Sequence, residues 1–197
     1  MRRNGSLRPE RRRERIVPLI TDTTPLRDLK ILSYPDPALA EPATPIEKVD
    51  GLVRTRAQRM IELMREAKGV GLAATQIGWP VRLCVLALDT DAKKVEVFIN
   101  PVILGRSGTQ NEEEGCLSVP AVRANIKRSS RVLVKAVNLD GKEIQMEAEG
   151  VLARAWEHEI DHLDGRLIIQ RMTTATRLAN AKRLKELEIE FEENPPR

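Results

Sequence analysis

Both histidines of this chain lie four residues apart in one short stretch, Trp156-Glu157-His158-Glu159-Ile160-Asp161-His162. Residues i and i+4 share one face of a helix, so two imidazoles at this spacing can reach a single metal ion. Val151, Ala155, His158 and His162 trace one helical stripe, and Leu152, Ala155, Glu159 and Leu163 an overlapping one. The stripes turn the histidines and Glu159 toward a core. A buried imidazole or carboxylate is costly without a partner, and a metal supplies one. Gly150 precedes the stripes and Asp164-Gly165 follows them as a stop signal. The sequence therefore predicts a short helix with its polar chemistry facing inward.

Glu159 directly follows the first histidine, the place that the general base holds in H-E-x-x-H metal hydrolases. With no histidine left, a thiolate or a carboxylate must supply the third ligand. Cys84 lies in an apolar run and reads as a small buried hydrophobe. Cys116 sits between Glu112-Glu113-Glu114-Gly115 and Leu117-Ser118-Val119-Pro120, a polar loop free to turn toward a site. Glu114 is the structural alternative. Cys116 is the better candidate, because one thiolate and two imidazoles leave the fourth position open for water, as a catalytic site requires.

The rest of the chain is read as support for this stretch. Its 197 residues suit one domain, with 41% hydrophobic but only 3% aromatic residues, so the core must be aliphatic. No run approaches a membrane span, and two cysteines do not make a disulfide framework, which points to a reducing, cytoplasmic setting. The net charge of +4 is concentrated: residues 1–15 hold seven arginines against two glutamates. Residues 1–25 are therefore expected to be a flexible basic arm, able to touch RNA through charge alone, ahead of one catalytic domain at 26–197.

Prolines 35, 37, 42 and 45 forbid a regular helix between residues 31 and 45. Asp50 is placed to cap a helix to about residue 68, with Val53, Ala57, Met60, Met64 and Ala67 inward and Gly69 as terminator. Strands are expected at 81–87, at 94–100 with Pro101 as the stop, and at 131–138 and 143–148 around Leu139-Asp140-Gly141-Lys142. A last helix, about 174–192, has nearly balanced charges and reads as solvated. The predicted class is α+β, mainly antiparallel sheets packed around the central metal-binding helix, with a C-terminal helix.

Three segments, Gly69-Val70-Gly71-Leu72-Ala73-Ala74-Thr75-Gln76, Glu114-Gly115-Cys116-Leu117-Ser118 and His158-Glu159-Ile160-Asp161-His162, resemble the signature motifs of peptide deformylases, in the family's order. The resemblance runs from about residue 29 to 172. It implies Cys116, His158 and His162 as ligands of one divalent ion, Fe(II) in the cell, with Zn(II), Ni(II) or Co(II) also accepted by these donors. It further implies Glu159 as general acid and base, Gln76 and the Leu117 N–H as oxyanion donors, and a Glu114–Arg128 pair behind the site. Val70, Gly71, Gly115, Arg123, Val151, Arg154 and Ala155 would line the substrate cleft. Arg154 and Glu157 depart from several relatives, which carry an aliphatic residue and a glutamine there.

The activity so implied is hydrolysis of the N-formyl group of the initiator methionine of nascent polypeptides, releasing formate, with transient ribosome association and no membrane. An H-E-x-x-H endopeptidase is the rival enzyme, but its third ligand usually lies downstream, where this chain has no histidine. A metal-stabilised binding module on the ribosome is the non-enzymatic alternative. Glu159 and Gln76 oppose it, since a structural metal site needs neither base nor oxyanion donor.

Overall fold

The structure, a computed structural model, describes residue 21, residues 23–89 and residues 93–194. The arginine-rich residues 1–15, and with them most of the expected arm, lie outside the described residues. The proline-rich stretch forms no helix beyond a 3-10 turn at Pro37–Ala40, capped by Asp36, which accepts the Ala38 N–H at 2.9 Å.

Asp50 caps the first long helix as expected: its carboxylate accepts the Val53 N–H at 2.9 Å, and α1 spans Gly51–Glu66. Val53, Ala57, Met60 and Met64 are buried along it, but Ala67 is exposed, because the helix ends just before it. Lys68, not Gly69, takes the left-handed backbone at this end, with φ 54. Gly69 provides room instead: a Cβ there would lie 2.7 Å from Leu117 Cδ1.

Strands β1 (Gly71–Ala73), β2 (Leu83–Ala87) and β3 (Val95–Ser107) follow as antiparallel neighbours. Pro101 does not stop β3. The ladder shifts register between Ile99 and Val102, with Asn100 at φ 51, and the proline sits at this irregularity, where its missing N–H breaks no regular rung. Strands β4 (Gln110–Cys116) and β5 (Val119–Arg128) form a separate two-stranded sheet. Cys116 therefore ends a strand and is not in a loop. The alternation that reveals this hairpin lies on β5, where Val122, Ala124, Ile126 and Arg128 are buried and the residues between them exposed.

Strands β6 (Arg131–Val137) and β7 (Glu143–Glu149) make the expected hairpin and complete a sheet of order β1-β2-β3-β6-β7. Helix α2 (Gly150–Leu163) leaves β7 directly. Alternate residues of the first strands face opposite ways: Leu72, Val85 and Ile99 pack with α1, while Ala73, Cys84, Leu86 and Phe98 pack with α2. Trp156 of α2 is fully buried, its ring edge-on to Phe98 with centroids 4.5 Å apart. This is the expected α+β arrangement around a central helix.

The C-terminal stretch departs from its reading. It is two helices, α3 (Thr174–Ala179) and α4 (Ala181–Glu193), broken at Asn180. It is also not wholly solvated, because Leu184 and Leu187, three residues apart, bury one face against Leu39, Val119, Val122 and Ile168. The Tyr34 hydroxyl adds a hydrogen bond to Glu188 at 2.9 Å. Among the described residues no helix is long and apolar enough to cross a membrane.

Candidate active site

Helix α2 carries three of the expected site residues inward. Its burial begins later than the sequence pattern predicts. Val151 is 62% exposed and Leu152 half-buried, because that side of the first turn lies at the rim of a cleft, whereas Ala153 on its other side is in the core. From Ala155 onward the stripe is inside, with Glu159 3% and His162 1% exposed.

Strand β4 ends where α2 passes, which brings Cys116 to the histidines. Cys116 Sγ lies 3.2 Å from His162 Nε2, which lies 3.2 Å from His158 Nε2. All three donor atoms fall within 4.8 Å of one another. Glu114, the alternative third ligand, is not in this group: its carboxylate turns behind His158 to Nδ1, at 3.1 Å. That contact leaves His158 Nε2 toward the cluster. The donor set fits a divalent ion, since one thiol and two imidazole nitrogens, ligand types such ions take, converge at one place. The two imidazoles differ in their electrostatics. Burial lowers the His158 imidazole, yet the hydrogen bonds to Cys116 and Glu114 and the charges of Cys116 and Glu159 lift it to about 10. His162 is held well below its usual value, by burial first and then by the charges of His158 and Arg128.

Glu159 lies beside this cluster, and burial foremost pushes its carboxyl up to about 7. Its Oε2 is buried with no hydrogen-bond partner among the described residues. Gly71 of β1 passes so close that a Cβ there would stand 2.3 Å from Glu159 Oε1. Glycine at 71 is thus a matter of space. Gln76, 1% exposed, is held at both ends of its amide. Oε1 accepts the Ala73 N–H at 2.8 Å, while Nε2 donates to Ser118 Oγ at 3.1 Å and lies 3.8 Å from Cys116 Sγ.

Behind the cluster runs a buried ionic chain. Glu114 accepts from Arg128 through both oxygens, at 3.0 and 3.1 Å, which bears out the pairing of these two residues. Arg128 also pairs with Asp161, and Asp161 with Arg171. The roles of Asp161, Arg171 and Ser118 are not apparent from sequence. A signal exists for Asp161, three residues past His158 on the same helix and 5% exposed; Arg171 lies in a separate segment with nothing local to mark it. Glu157 accepts from the Ser129 N–H at 2.7 Å and Arg106 at 2.9 Å, tying α2 to β3 and the β5–β6 turn.

The cleft in front has a volume of about 520 Å³. Val70, Gly71, Gln76, Gly115, Cys116, Leu117, Arg123, Val151, Arg154, Ala155, His158 and Glu159 all line it. Of the expected metal, catalytic and cleft residues only His162 is set behind its wall. Both sheets, a 3-10 turn at Ala74–Ile77 and helix α2 thus deliver these residues to one place.

Fold and site together describe a hydrolase built around a candidate metal cluster. The chain belongs to the polypeptide deformylase family, whose model matches residues 28–178. It is 45% identical over 160 residues to the peptide deformylase of Acidobacterium capsulatum, covering 80% of this chain and 94% of the relative. The peptide deformylase of Chromobacterium violaceum is 41% identical over 160 residues, with 81% and 96% covered. Among solved structures, peptide deformylase from Plasmodium falciparum superposes with a TM-score of 0.81 at 30% identity, over 85% of this chain and 100% of that one. The enzyme from Thermus thermophilus gives 0.76 at 40% identity, over 82% and 98%.

Proposed function

We propose that this chain hydrolyses the N-formyl group of formylmethionyl ends of nascent polypeptides in a metal-dependent reaction that releases formate. The observation that carries this reading is the convergence of Cys116 Sγ and two histidine Nε2 atoms within 4.8 Å, beside a buried glutamate, in a chain of this family. The residues present fit a divalent ion held by Cys116, His158 and His162, taken here as Fe(II), with Zn(II), Ni(II) and Co(II) suiting the same donors. When bound, such an ion lowers the pKa of water and polarises a carbonyl.

The chain's own groups do the rest. Glu159 accepts the proton of the attacking water through Oε2, which has no partner among the described residues. As the water oxygen bonds to the formyl carbon, negative charge collects on the formyl oxygen. Gln76 Nε2 and the Leu117 N–H donate to it, and losing one such donor typically costs about 10²–10³-fold in rate. Glu159 then returns the proton to the departing nitrogen as the C–N bond breaks, leaving formate and a free methionyl amine. Val70, Gly71, Gly115, Arg123, Val151, Arg154 and Ala155 hold the methionyl peptide. On this reading the protein works in the cytoplasm on chains leaving the ribosome, with the arginines of residues 1–15 supplying charge for that encounter.

The test is Glu159→Gln, which keeps size and loses the proton acceptor. Formate release from a formyl-Met peptide should fall at least ~10²-fold with metal content unchanged. A variant with wild-type turnover, or one that loses its metal together with its activity, overturns the assignment of Glu159.

A further inference from the structure

The cleft carries three cations that nothing among the described residues neutralises. Lys68, Arg123 and Arg154 line it, and none of them makes an ion pair among the described residues. Several arginines elsewhere in the fold are paired: Arg106 of β3 with Glu157, Arg131 of β6 with Glu149, Arg183 of α4 with Glu190. The anions inside the cleft are engaged or sequestered. Glu114 is bound by Arg128 and His158, and Glu159 is 3% exposed, which leaves Glu113 as the one exposed carboxylate in the lining.

Position matters as much as count. Arg154 precedes His158 by four residues on α2, so both lie on one helix face. Its half-buried stem lines the cleft, and a guanidinium on such a stem reaches out to water at the mouth. Arg123 pairs in register with Gly115, next to Cys116. A Cβ on Gly115 would lie 2.8 Å from the Arg123 Nη1, so the guanidinium rests over the glycine backbone. The two arginines therefore flank the reacting centre. An extended peptide advances ~3.3–3.6 Å per residue, so the first few side chains after the reacting methionine pass between them.

We infer that the cleft selects formylmethionyl peptides bearing a carboxylate side chain in the residues just after methionine, and that Arg123 and Arg154 make the selection. The inference rests on the deformylase reading above and adds a substrate preference to it. Attraction at an exposed rim acts on encounter and binding, not on bond breaking, so the preference belongs in KM.

The experiment compares formyl-Met-Ala-Glu-amide with its Gln and Lys counterparts, all C-terminally amidated, using metal-loaded full-length protein. At low ionic strength kcat/KM should run Glu above Gln by about 3-fold and Glu above Lys by about 10-fold, with similar kcat, the scale of a few exposed ion pairs. The spread should shrink as NaCl rises and the Debye length falls. An Arg123→Gln, Arg154→Gln double variant should level the three peptides relative to one another, whereas Arg123→Lys, Arg154→Lys should keep their order. Equal kcat/KM for the three peptides in the wild type overturns the charge selection and leaves deformylation standing. A preference that survives in the Gln double variant overturns the assignment to these arginines. No formate from any peptide, with metal bound, removes the deformylase reading itself.

Discussion

Glu114 meets Nδ1 of His158 at 3.1 Å while holding Arg128 with both of its oxygens, so one carboxylate orients a cluster imidazole and neutralises a buried guanidinium. Partners of this kind fix the tautomer and the ring direction of a ligating histidine. Glu114→Gln is expected to weaken metal affinity about 10–100-fold in a competition with a chromogenic chelator. It should also cost about 3 kcal/mol in urea unfolding, the lower end for a broken buried pair, because Asp161 still faces Arg128. Undiminished metal affinity would show that the contact is only structural.

The two cysteines separate cleanly. Cys116 points into the cluster, whereas Cys84 is fully buried in β2, where burial pushes its thiol well up. Cys116→Ala should purify with its metal content largely lost. Cys84→Ala should retain metal and turnover, with a loss of stability on the order of 1 kcal/mol for a small cavity. Metal analysis of the two purified variants distinguishes them, and full occupancy in Cys116→Ala would defeat the ligand assignment.

Gly71 is the strictest steric constraint on the proposed base. Gly71→Ala must displace Glu159, since the new methyl would stand 2.3 Å from Oε1 and 2.9 Å from Leu86 Cδ2. A misplacement of about 1 Å in such a group can cost 10²-fold, so turnover should fall by roughly that factor while metal remains bound. Wild-type kcat in this variant would mean that Glu159 tolerates movement and is not the positioned base.

The C-terminal helix contributes to stability despite its charged appearance. Leu187 is 2% exposed against the cluster that includes Leu39 and Val122. Leu187→Ala should lower unfolding free energy by about 2–4 kcal/mol, whereas Leu178→Ala, at a 75% exposed position, should change it by less than ~0.5 kcal/mol. Equal midpoints for the two variants in denaturant would mean that α4 is not part of the core.

What is local in this protein can be read from its residues alone. The i, i+4 spacing of His158 and His162, the acid beside the first of them, the Asp50 cap and the β6–β7 hairpin all follow from periodicities and turn chemistry within a few residues. Cys116 is legible too, because only one cysteine has polar neighbours, although the segment around it is a strand. Packing in three dimensions settles the rest. Val151 continues the α2 stripe in sequence but is exposed, since burial depends on what packs opposite and its side of the first turn faces the cleft. Pro101 lies inside a strand because a bulge absorbs its missing N–H. Leu184 and Leu187 share a charged helix with Ile189 and Phe191, and only packing shows which of the four are buried, once Leu39 and Val122 meet the first two. The chain from His158 through Glu114, Arg128 and Asp161 to Arg171 joins separate segments of the sequence. No sequence window contains it, because buried charges choose partners by proximity in the fold and not by spacing along the chain.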